Sequence, residues 1–207
     1  MSDGIRLSEQ VVAQVPVSGV SNPVTAVLLN FRAYDTLLEL AVVLTAVLTV
    51  LTLNDRRHSR VVSSPLLQGM THWLVPLLVV TSGYLLWVGA HAPGGAFQAG
   101  AMLAAAMILL QLAYPSRRQE FSVSLLRILL VIGIFTFVVV GLWMLLHNDV
   151  FLAFDPEWAG ILILIIETMA TLSIATALAL AYLGGRPMGW EEGARNNAAS
   201  TENGGAG

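Results

Sequence analysis

The chain has 207 residues, 56% of them hydrophobic and 11% charged, where an average globular domain carries roughly 25% charged residues. No Asp, Glu, Lys or Arg occurs between Arg60 and Arg117 and the mean hydropathy is +0.75, which excludes an ordinary soluble fold and points to an all-α integral membrane protein. A formal net charge of −3 leaves no basic field for nucleic acid, the absence of Cys removes disulfides and thiolate chemistry, and all 10 basic residues are Arg, so no lysine relay exists in this chain.

Residues 1–30 lack the charged n-region, long apolar core and small-residue site of a cleavable signal peptide. Residues 8–17 alternate weakly, and Pro16 with Asn22-Pro23 interrupts any long helix there. Residues 22–34 predict a short helix, with Asn22 as its cap and Pro23 at its first position. Five spans follow, at residues 35–53, 72–89, 96–113, 122–146 and 158–183. The first measures about 28 Å at helical rise, close to a hydrocarbon core of ~30 Å. Residues 184–207 are polar, Gly- and Asn-rich, and predict a flexible tail.

Loop charges orient this bundle. Arg56, Arg57 and Arg60 lie between the first two spans, and Arg117 and Arg118 between the third and fourth. The loop before the fifth span carries Asp149, Asp155 and Glu157 with no basic residue. Because positive loops stay cytoplasmic, the N-terminus is expected outside and the C-terminus in the cytoplasm.

Three features can carry chemistry. Arg32, Asp35 and Glu39 cluster at the start of the first span, with Asp35 and Glu39 four residues apart on one helical face. In low dielectric such carboxylates resist ionising together, so the cluster can share a proton or, alternatively, serve as an interfacial anchor. Glu167 lies well inside the fifth span, where a carboxylate must face protein or water and is functional by default, or else glues helices together. The third feature is GAHAPGGAFQAG at residues 89–100. Pro93-Gly94-Gly95 favours a tight turn into a helix, and Gly95/Ala99, Ala96/Gly100 and Gly100/Ala104 are small pairs at spacing four. The segment is thus a packing hairpin, or an ion or proton path using exposed amides and His91. It is not a P-loop, since no Lys-Ser/Thr follows Gly100. Arg127, one turn into the fourth span, is expected to snorkel or to pair across helices, and Gln111, His58, His72 and His147 read as interfacial residues. No Ser/His/Asp triad, metal-ligand cluster or redox-cofactor pair is visible, so no independent enzyme, metal or cofactor is expected.

Two of these segments resemble a known family. GAHAPGGAFQAG, with the following AMLAAAMILL, resembles the GHxxPGGGFxxG signature of the MnhB/MrpB-type B subunit of multisubunit Na+/H+ antiporters and of the membrane arms of energy-converting hydrogenases. The match runs through His91, Pro93, Gly94, Gly95, Phe97 and Gly100, and departs at Ala92 and at Ala96, where a third Gly is usual. NPVTAVLLNFRAYDTLLEL looks like the NVVNxILVDFRGxDTxGE motif at the end of the antiporters' large A subunit and in the E-like hydrogenase subunit. Asn22, Phe31, Arg32, Asp35, Thr36 and Glu39 match, while Asn30 replaces an Asp and Leu38 a Gly.

The resemblance implies three parts: an A-terminal or E-like segment with one span (1–65), a four-helix B-like domain (66–183) and the tail (184–207). It implies an accessory, non-enzymatic subunit of an Mrp-type antiporter in a bacterial cytoplasmic (inner) membrane. Its partners would be other membrane subunits and the lipid bilayer, and the transported species protons, with Na+ a candidate. Arg32, Asp35, Glu39, His91 and Glu167 become the ion- or proton-route candidates, and Pro93, Gly94, Gly95, Phe97 and Gly100 the turn and packing residues. A subunit of a redox-driven complex and a non-conducting scaffold are the alternatives.

Overall fold

The computed structural model describes residues 7–53, 64–114, 123–148, 152, 154 and 156–182. Arg56, Arg57, Arg60, Arg117, Arg118, Asp149, Asp155, His58 and the tail 184–207 lie outside them. Among the described residues every regular element is helical. Five helices are long and apolar enough to cross a membrane: α3 (Ala33–Leu53), α4 (Pro65–Val88), α5 (Ala96–Ala113), α6 (Val123–Asn148) and α7 (Pro156–Tyr182).

The N-terminal segment is more helical than its weak alternation suggests. Helix α1 (Leu7–Gln14) is followed by a 3₁₀ turn over Val15–Val17, where Pro16 ends the α-helical bonding. The expected helix over 22–34 is instead broken in two. Asn22 caps α2 (Pro23–Ala26), its Oδ1 accepting from Val24 N–H at 3.0 Å. A π-turn over Val27–Phe31 then closes with Arg32 N–H donating to the Val27 carbonyl at 2.7 Å. Arg32 itself has non-helical torsions (φ −129°, ψ 38°), and α3 starts directly after it.

Helix α4 begins earlier than the expected residue 72. Ser64 accepts from Leu67 N–H at 3.2 Å, and Pro65 fits the first helical position, where no N–H is required. Pro76 is carried inside the helix. Helix α5 spans Ala96–Ala113, the range read from the sequence.

Helix α7 is the hub, packing against α3, α4, α5 and α6. It buries 56% of its most apolar window, against 11% for α4. Small residues make this possible. A Cβ on Gly100 would lie 2.8 Å from Ile174 Cγ2, and one on Gly133 would lie 2.9 Å from Ser173 Cβ, so α5 and α6 both approach α7 closely. Ser173 Oγ donates to the Leu130 carbonyl at 2.6 Å, and Ser82 Oγ of α4 donates to the Ala99 carbonyl of α5 at 2.8 Å. The main core joins Ala26, Leu29, Phe137, Met144, Ile163 and Ile166. A smaller one gathers Val47, Leu126, Leu130 and Leu180, where the end of α3 meets the start of α6 and the end of α7.

Candidate functional site

The site is built where three features meet. First, the turn between α4 and α5 is drawn tight. Gly89 and Gly95 N–H groups both donate to the Leu85 carbonyl, at 3.2 and 2.9 Å, and a Cβ on Gly94 would sit 2.5 Å from that same oxygen. Gly95 opens α5 with φ +108° and ψ −171°, a conformation essentially confined to glycine.

Second, the N-terminal segment is tied onto this turn. The backbone N–H groups of Ser21 and Asn22 both donate to the Ala90 carbonyl, at 3.1 and 3.0 Å. Asn22 Nδ2 donates to the carbonyls of Gly89 (3.1 Å) and Ala92 (2.8 Å), and Thr25 Oγ1 donates to that of Gly89 at 2.5 Å. Carbonyls at a helix C-terminus have no intrahelical donors, and here side chains some seventy residues away in sequence supply them. Asn22 serves two helices at once, capping α2 with its oxygen and the end of α4 with its nitrogen.

Third, Glu167 of α7 reaches the start of α5. Glu167 is 4% exposed, and its carboxylate lies against the backbone at Gly95 and the Ala96 N–H. Gly95 provides no capping side chain, so a carboxylate from another helix takes the N-cap role. Thr171, one turn along, donates to the Glu167 carbonyl at 2.7 Å and approaches the Ala96 carbonyl at 3.5 Å.

These features enclose a cavity of about 140 Å³, ample for several waters. Val24, Thr25, Leu28 and Leu29 line it from the N-terminal segment, and Thr36, Glu39 and Leu40 from α3. Gly94, Gly95, Ala96, Phe97 and Gln98 contribute the turn, with Phe137, Ile166, Glu167 and Ala170 opposite. Two carboxylates, Glu39 at the exposed rim and Glu167 at the buried wall, therefore face one largely apolar space, to which Thr25, Thr36 and Gln98 add the other polar side chains. Such a space can hold water and pass a proton or small cation between them.

The structure divides the candidates read from the sequence. Glu39, Glu167, Gly94, Gly95 and Phe97 meet at the cavity, and Gly100 packs against α7. Arg32 and Asp35 instead form an ion pair with each other, with side chains 70% and 43% exposed. His91 is exposed on the turn and Pro93 likewise, neither lining the cavity. Thr25 and Gln98 carry no mark in the sequence that sets them apart as site residues, and Thr36 is marked only as a motif match. Asn22 is legible in the sequence as a helix cap and as a motif match, but not as the donor that ties the N-terminal segment to the α4–α5 turn. Among the described residues no group of three His, Asp or Glu could hold a metal ion.

Residues 66–184 match a family model described as a domain related to the MnhB subunit of Na+/H+ antiporter. Comparison with curated proteins finds no match. Among solved structures, the chain is similar to the Mrp complex from Dietzia sp. DQ12-45-1b, at 27% identity and a TM-score of 0.65, covering 89% of this chain and 23% of that one. It spans less than a quarter of the Mrp-complex chain that it matches. It also shares its fold with the membrane-bound sulfane sulfur reductase, an archaeal respiratory membrane complex, at 22% identity and a TM-score of 0.71, covering 89% of this chain and 86% of that one.

Proposed function

The chain belongs to the family of domains related to the MnhB subunit of Na+/H+ antiporters, and from that premise we propose that it is an accessory membrane subunit of an Mrp-type multisubunit cation/proton antiporter, in which the cavity between Glu39 and Glu167 forms one step of the ion or proton route. One observation carries this reading. Two carboxylates from the first and last of the helices long and apolar enough to cross a membrane line a single cavity, and an acidic group within such a helix is expensive unless it is used. Partner subunits holding lysine relays would supply the antiport chemistry that this chain, without Lys, leaves to others.

In this reading residues 1–65 form the A-terminal-like part, 66–183 the B-like domain and 184–207 a flexible tail. The multi-pass chain sits in a bacterial cytoplasmic (inner) membrane with its N-terminus outside and its C-terminus in the cytoplasm. Arg32 and Asp35 anchor the mouth of the route, and Glu39 and Glu167 carry it. The decisive test measures antiport by the whole complex in everted membrane vesicles after Glu39→Gln and Glu167→Gln. Each exchange keeps the shape and removes the exchangeable charge, so transport should fall roughly tenfold or more with assembly intact. Full transport by both assembled variants would leave the scaffold reading in its place.

A further inference from the structure

The cavity is bounded on one side by a helix that is broken in two. Ahead of the break, Ser21, Asn22 and Thr25 fasten the chain to the carbonyls of Gly89, Ala90 and Ala92. Beyond it, α3 packs on α6 and α7. Between them stand the π-turn Val27–Phe31 and the non-helical Arg32. π-turns and the kinks they produce mark positions where a helix changes direction. Both sides of the break contribute to the cavity wall: Val24, Thr25, Leu28 and Leu29 before it, Thr36, Glu39 and Leu40 after it. The angle at the break therefore sets the distance of Glu39 from the fixed wall that carries Gly95 and Glu167.

One side-chain bond bridges the break. Thr36 Oγ1, buried at 8% exposure, donates to the Leu28 carbonyl at 2.6 Å. It reaches over the π-turn, from the first turns of α3 to the middle of the irregular segment. Other α3 threonines behave differently: Thr45, Thr49 and Thr52 donate to carbonyls three or four residues earlier in their own helix and are exposed. Thr36 also lies three residues before Glu39, on the same side of α3.

We propose that Thr36 is a latch across a hinge at the π-turn, a positioning residue that holds Glu39 in register with Glu167 and limits access to the cavity between them. The role in transport rests on the reading of that cavity as an ion step; the latch itself does not. With the hydroxyl in place the two half-helices keep one angle. Without it, α3 rocks about Arg32 while the tethered end stays on the α4–α5 turn, and the cavity opens on the side of Leu28 and Thr36.

The test uses the whole complex and two readouts. The chain contains no Cys, so Ile166→Cys places one thiol of this chain on the cavity wall, and its modification by a small water-soluble thiol reagent is followed by mass spectrometry of this chain. Adding Thr36→Val, which keeps the shape and removes the donor, should raise the modification rate about fivefold, the population shift that losing one net hydrogen bond produces. Thr36→Ser, which keeps the donor, should leave it near the parent rate. Antiport measured without the thiol should show a changed apparent KM for the cation in Thr36→Val, restored in Thr36→Ser. Equal modification rates in all three backgrounds would overturn the latch. Full transport by Glu39→Gln and Glu167→Gln would overturn the ion step alone, since the accessibility result needs no transport. A chain that fails to assemble with Thr36→Val but assembles with Thr36→Ala, at the parent modification rate, would also overturn the latch, because both exchanges remove the hydroxyl.

Discussion

Gly95 stands directly against the carboxylate of Glu167: a Cβ built on Gly95 would lie 2.9 Å from Glu167 Oε1, closer than real side chains come. The glycine that turns the chain into α5 and the acid that caps α5 are thus a matched pair. The turn needs a residue without a side chain both for its torsions and for the space that Glu167 fills. The acid in turn takes up an N–H at a helix start that Gly95 leaves without a local acceptor.

Gly95→Ala should therefore be destabilising on two counts. The torsions φ +108° and ψ −171° cost an L-residue about 1–3 kcal/mol, and the new methyl group makes the tip of the Glu167 side chain shift, the smaller of the two effects. A lower unfolding temperature of the purified complex, with reduced antiport, is expected. An unchanged melting profile would show that the turn is looser than the bonds to Leu85 indicate.

Structure and conduction separate at Glu167. Glu167→Gln retains an acceptor for Ala96 N–H, whereas Glu167→Leu strands that donor in a buried site at about 1–3 kcal/mol. Stability should rank wild type and Gln above Leu. Antiport should rank wild type above both. If the two orders coincide, Glu167 acts only as a cap.

Asn22 gives a sharper contrast. Asn22→Ala removes the cap of α2 and two donors to Gly89 and Ala92, at about 1 kcal/mol for each net bond. Asn22→Asp keeps the cap but turns an anionic oxygen towards two carbonyl oxygens. It should be at least as damaging as Ala. Thermal unfolding of the two variants side by side checks this; a neutral Asn22→Asp would mean that the amide donors do not hold the segment down.

His91 is the candidate that the fold sets apart. It is exposed and lines no part of the cavity, so His91→Ala should keep antiport within about twofold of wild type, in the range of surface substitutions. Loss of transport in an assembled complex would place part of the route outside the cavity.

Much of this architecture is local and so can be read along the chain. Four of the five spans begin and end within two residues of their expected limits, because a membrane helix needs only continuous apolar length. The exception, α4, starts at Pro65 because a cap and a proline outweigh the polar Gln68 and Thr71. The Asn22 cap, the Pro93-Gly94-Gly95 turn and the close packing at Gly100 belong to the same class, since each follows from a residue's own torsions or size.

What the residues cannot announce is which of them meet. In a bilayer both the lipid-facing and the protein-facing sides of a helix are apolar, so periodicity does not say which way α3 or α7 turns. Asp35 and Glu39 look equivalent on a helical wheel, yet one pairs with Arg32 at the surface and the other lines the cavity. Their difference is one of position along α3: Asp35 lies in the first turn, three residues from Arg32, and Glu39 one turn further in, level with the cavity. The composition alone fixed a charge-poor, lysine-free membrane chain in which any buried acid matters. Only the tertiary structure, by breaking one helix and closing one turn, put Glu39 and Glu167 on the same space.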